Sequence, residues 1–181
     1  LKESVLEFVD NAVKKVVEES TVRHGREWTV DYEGLLQSAR SNFPIGDMTV
    51  SNLEDKTPEE IVELFRGRVH SLYDNKEAEI GRAVILRMNP LIDPAELEQQ
   101  ARETGAQHMR EIERVVTLKS IDENWIEHLN MLDHLRSGVS LRGYGQQDPV
   151  VVYAQEAFAA FDVLKQDIQL DVIRKMFLVR I

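Results

Sequence analysis

The sequence predicts an all-α chain: a helical part over residues 1–104, then a long antiparallel two-helix hairpin over residues 105–181, with little or no sheet. Three observations carry this expectation. Apolar residues recur at steps of three and four along most of the chain, which draws one apolar stripe on a helix. Capping residues followed by proline, or glycines, punctuate these stretches where a helix would begin or end. Only residues 48–50, Met-Thr-Val, have the character of a short strand, and nothing nearby offers a pairing partner.

The elements follow in order. Residues 4–22 read as a first helix, with Val5, Val9, Ala12 and Val16 on one stripe and His24-Gly25 as its stop. Asp31 to Arg40 reads as a short helix carrying Leu35 and Leu36, broken by Phe43-Pro44-Ile45-Gly46-Asp47. Thr57-Pro58-Glu59-Glu60 is a helix start, with a capping hydroxyl, proline at the first position and Glu60 closing a capping box. The helix it opens carries Ile61, Leu64, Phe65, Val69, Leu72 and Tyr73 and runs to Met88, where Asn89-Pro90 stops it and Asp93-Pro94 starts the next. Gly105 marks a kink or a simple join on the way into the hairpin. In the hairpin, Leu118, Ile121, Trp125, Leu129, Leu132 and Leu135 form one stripe, and Tyr153, Ala157, Phe161, Leu164, Ile168 and Val172 form the other. Trp125, Leu129, Leu132, Phe161 and Leu164 are the residues expected to pack the two helices together. Between them, residues 136–149 form a glycine-rich tip in which Gly138, Gly143 and Gly145 interrupt the helix, until Asp148-Pro149 starts the return.

Composition narrows the function. With no cysteine among 181 residues, disulfides and thiolate zinc sites are excluded. No apolar run approaches a membrane span, and Lys2, Glu3, Glu7 and Asp10 rule out a signal peptide at this start. Leu1 in place of an initiator methionine points to a piece of a longer protein. The net charge of −10 is concentrated early, with 13 basic and 21 acidic side chains over residues 1–107 against 9 and 11 over residues 108–181. An acidic balance repels nucleic acid, so no nucleic-acid partner is expected. The tip runs the other way: Arg136 and Arg142 meet only Asp148, and together with Tyr144 they make it locally basic and aromatic.

Catalytic patterns are missing. Gly143-Tyr144-Gly145 is followed by glutamines and no lysine, so it is not a phosphate-binding loop. His128 and His134 are six apart on different faces, and Glu127-His128 and Asp133-His134 read as polar pairs on the helix surface. No catalytic, cofactor or metal residue is therefore nominated. Tyr144 stands apart, since its glycine neighbours keep it off any helical stripe.

The stretch from Ser120-Ile-Asp-Glu-Asn-Trp125 through Met131-Leu-Asp-His-Leu-Arg136-Ser-Gly-Val-Ser-Leu-Arg-Gly-Tyr144-Gly-Gln-Gln-Asp-Pro149 resembles the two-helix finger of SecA. SecA is the ATP-driven motor of bacterial preprotein export. Gly105 to Arg114 resembles the segment entering that finger, Tyr153-Ala-Gln-Glu-Ala-Phe158 its second helix, and residues 1–104 occupy the place of the family's helical wing. The resemblance implies a non-catalytic part of a translocase. Tyr144, flanked by Leu141 and Arg142, would touch the moving polypeptide at the mouth of a SecYEG-type channel. The rest of the motor would supply ATP and Mg chemistry, and the protein would work at the cytoplasmic face of the bacterial membrane, peripherally attached. The residues taken alone leave a second reading open, a stand-alone acidic helical module for protein interaction.

Overall fold

A computed structural model describes residues 1–24, 27–142 and 148–179. Five α-helices dominate: α1 (Lys2–Glu19), α2 (Tyr32–Asn42), α3 (Pro58–Met88), α4 (Pro94–Arg142) and α5 (Pro149–Leu178). Between α1 and α2 lies a two-stranded antiparallel ribbon, β1 (Thr21–His24) and β2 (Glu27–Val30), in which Val22 pairs with Thr29 and Arg23 with Trp28.

Local chemistry accounts for the helix starts. Asp31 caps α2 by accepting from Gly34 N at 3.0 Å. Thr57 and Glu60 form the expected box at α3, with Thr57 N donating to Glu60 Oε2 at 2.8 Å and Glu60 N to Thr57 Oγ1 at 3.2 Å. Asp93 Oδ1 accepts from Ala95 N at 2.9 Å at the start of α4. Asp148 Oδ1 accepts from Val150 N at 2.9 Å at the start of α5, with Pro149 in the first turn.

Three local expectations are corrected. The first helix stops at Glu19 rather than residue 22, because β-branched Thr21, Val22, Thr29 and Val30 favour the pleated ribbon instead. Residues 48–50 form no strand: Thr49 caps a 3-10 turn over Val50–Asn52, and Met48 is buried in the core. Glycine does not interrupt α4, which runs unbroken through both Gly105 and Gly138 to Arg142. A single glycine costs a helix only about 1 kcal/mol, which packing and flanking turns readily offset. The sequence boundary at 104/105 thus falls inside one helix shared by both parts of the chain.

Two apolar clusters hold the molecule. The larger packs Val9, Val13 and Val17 of α1 against Leu35 and Leu36 of α2, Ile45, Met48 and Leu53 of the following loop, and Ile61, Phe65 and Val69 of α3. Ile173 of α5 completes it. The smaller joins Val5, Tyr73, Ile80, Met109, Val172 and Met176, one or two from each of α1, α3, α4 and α5. The hairpin therefore grows from a base in which its last helix is part of the core.

Candidate functional site

The hairpin of α4 and α5 is fixed at its base by two devices. At the first, α3 and α4 cross with their backbones in contact. A Cβ on Gly105 would overlap the Glu77 carbonyl oxygen and lie 2.8 Å from its carbon. One on Gly81 would overlap the Ala101 carbonyl oxygen and lie 2.8 Å from Gly105 N. Only glycine permits this approach. At the second, Lys175 of α5 donates to Glu123 of α4 and to Asp171, both at 2.5 Å. The hydrogen bond to Asp171, with that to Glu123 behind it, holds the Lys175 ammonium above its ordinary value.

Farther out, the predicted packing residues divide. Leu164 is buried at 6 % exposure, whereas Trp125, Leu129 and Phe161 are exposed at 44, 46 and 42 %. Leu132 is half-buried. At this level the covered position on α4 belongs to His128, 7 % exposed, whose ring lies 5.6 Å from that of Trp125 and 6.1 Å from that of Phe161. His128 was expected on the surface; it faces inward because α4 carries apolar residues on more than one face. Val115, Leu118, Ile121, Trp125, Ile126 and Leu129 consequently form an exposed apolar stripe along α4. Val150, Val151 and Phe158 add exposed apolar area near the start of α5.

The tip residue Tyr144 lies outside the described residues. Leu141 and Arg142 end α4, and their side chains also lie outside the description. Sequence reasoning missed the buried Glu113, His128 and the partner glycine Gly81. A signal existed for the last: Gly81 and Gly105 sit mid-pattern in segments otherwise made of good helix formers.

Among the described residues no group of three or more His, Asp or Glu side chains could hold a metal ion. Among the same residues no helix is long and apolar enough to cross a membrane. Between α4 and α5 runs an open polar groove lined by Glu123, Glu127, Asp167, Asp171 and Arg174. What the hairpin offers is a stiff projection with an apolar flank.

A family model described as the SecA wing and scaffold domain matches residues 1–180. The protein translocase subunit SecA of Pelotomaculum thermopropionicum is 35 % identical over 184 aligned residues, covering 100 % of this chain and 18 % of that protein. The subunit of the same name from Syntrophomonas wolfei is 31 % identical, covering 100 % of this chain and 19 % of its own length. SecA 1 of Clostridioides difficile is 29 % identical over 97 % of this chain and 17 % of its own. The chain spans under a fifth of the length of the curated relatives it matches.

Proposed function

The chain belongs to the SecA wing and scaffold family, and from that premise we propose that it is the non-catalytic lever of a preprotein translocase. The match over residues 1–180 to the family model carries this reading. Its physical support is the continuity of α4. A helix of 49 residues is about 74 Å long, and it runs without a break from Pro94, through the crossing with α3 at Gly105, to Arg142. Such a rod conveys rigid-body displacement, which a loop of equal length would absorb.

In this reading the far end, with Tyr144, Leu141 and Arg142, contacts the translocating preprotein at the cytoplasmic mouth of a SecYEG-type channel. An aromatic ring suits that task, because it gains contact area against any side chain and needs no sequence-specific partner. The exposed stripe from Val115 to Leu129 is where the remaining domains of the motor rest, consistent with relatives more than five times the length of this chain. Those domains bind ATP and Mg, and the lever couples their cycle to the tip. The protein works at the inner face of the cell membrane without spanning it.

Replacing the tip residue in a full-length translocase tests the proposal. Tyr144→Ala slows transport of a secretory substrate into inverted membrane vesicles, Tyr144→Phe largely preserves it, and neither moves the urea midpoint of the chain. Normal transport by Tyr144→Ala would refute the contact role.

A further inference from the structure

At the joint between α3 and α4 a carboxyl group sits where charge is hardest to accommodate. Glu113 is 0 % exposed, and among the described residues neither of its side-chain oxygens accepts a hydrogen bond. Arg110 Nη2 forms an ion pair with Glu113 Oε1 at 2.8 Å and donates its hydrogen bond to Glu77 Oε1 of α3 at 2.6 Å. Arg110 Nε is itself buried without a partner. From α1, Lys2 reaches Glu77 at 2.7 Å and Asp74 at 2.9 Å, and the Leu1 amino group also faces the carboxyl. From α3 come Asp74, Glu77 and the Tyr73 hydroxyl, the last 3.4 Å from Arg110. Among the described residues α5 contributes apolar Val172 and Met176 to this neighbourhood. The side chains thus supply two cations for three carboxylates.

We infer that Glu113 is a proton-operated detent: protonated, it lets α4 seat against α3; ionised, it drives α4 out of that seat and swings the hairpin. The seat is unforgiving. The backbones already touch at Gly81 and Gly105, so α4 cannot move closer to α3 to accommodate the charge and can only move away from it. An ionised Glu113 would share the Arg110 guanidinium with Glu77, so one cation faces two buried carboxylates, and the surplus charge is relieved only if the helices part. Burial raises the carboxyl to about 7, against the opposing pull of the Leu1 amine and then Lys2, so the change falls at neutral pH. Twenty-nine residues of α4 lie beyond Glu113, about 44 Å of lever, so a tilt of about 5° moves the far end by about 4 Å.

The sign is definite. The folded chain holds this proton more tightly than the unfolded chain, whose glutamates titrate near 4.5. Stability is therefore full below 4.5 and is lost as pH rises through about 7. In the 181-residue chain, carbon-13 NMR of labelled glutamates should show one carboxyl with a midpoint near 7, absent in Glu113→Gln. Blocking the Leu1 amine should move that midpoint further up. Between pH 5 and 8 the wild-type folding constant falls roughly a hundredfold, while Glu113→Gln stays flat. With no natural cysteine, spin labels on Glu54→Cys and Gln155→Cys report the hairpin's position. Their distance changes with the same midpoint in wild type and not in Glu113→Gln or, should that variant fail to fold, Glu113→Leu. A Glu113 midpoint below 5 overturns the inference. So does a label distance that ignores pH, or one that moves equally when residue 113 cannot ionise.

Discussion

Adding one methyl group at Gly105 should separate two helices. In Gly105→Ala the new Cβ overlaps the Glu77 carbonyl oxygen and lies 2.8 Å from the carbonyl carbon, where ordinary contact begins at 3.4 Å. Backbone cannot rotate away as a side chain can, so α3 and α4 must part by roughly 1 Å, loosening Tyr73, Ile80 and Met109 between them. Overpacking of this kind costs about 1–3 kcal/mol, less the gain of up to about 1 kcal/mol from replacing glycine by alanine within a helix. Because the clash is with backbone, the cost falls in the upper part of that range, leaving a net loss of about 1–2 kcal/mol. The same change at Gly67 of α3 or Gly138 of α4, where no atom lies within 4 Å of the added Cβ, should instead stabilise by about 0.5–1 kcal/mol. Urea unfolding followed by circular dichroism reads all three. Gly81→Ala should mimic Gly105→Ala, and the double variant should cost less than the two together, because helices already parted admit the second methyl cheaply. A Gly105→Ala midpoint at or above that of wild type would refute the reasoning.

Two further outcomes can be measured in the same way. Leu164→Ala should cost about 2–4 kcal/mol as a buried leucine, and Trp125→Ala no more than about 2 kcal/mol, since its ring is nearly half exposed at 44 %; a reversed order of the two urea midpoints would contradict the placement of α5 on α4. Thr57→Ala removes the hydroxyl that accepts from Glu60 N and should cost about 1 kcal/mol, with Thr57→Ser recovering most of it; an unchanged alanine variant would mean the α3 start needs no cap.

How much the sequence discloses depends on the range of the interaction. The starts of α2, α3, α4 and α5 are legible because a cap is settled within four residues, as Asp31, Thr57, Asp93 and Asp148 each demonstrate. The β1–β2 ribbon is not, because strands of four residues leave too little alternation to register against a preceding helix. Nor is the covered face of α4. Its apolar residues spread around the cylinder, so the stripe through Trp125 and Leu129 is as plausible a packing face as the one through Met109 and His128. Only the position of α5 decides between them. Glu113 is the extreme case, since a glutamate four residues from Met109 in a charged helix looks solvated until α1 and α3 enclose it. The family resemblance was readable at the hairpin, where residue order is distinctive, although the tip itself lies outside the described residues.

The placement of the last turns of α5 has a consequence for how the chain is made. Ile173 is part of the cluster built on α1 and α2, and Val172 and Met176 pack in the cluster that includes Val5. Elements at opposite ends of the sequence thus share both cores, unusual for a helical protein, in which neighbours along the chain usually contact each other first. A chain emerging from the ribosome can form α1 and α2 early, but neither core can close until α5 has followed. Until then Val5 and Val9 lack their final partners, and the half-built cores present apolar surface to whatever binds nascent chains. The hairpin, made after α1 and α2, is thereby the element that licenses completion of the cores they begin.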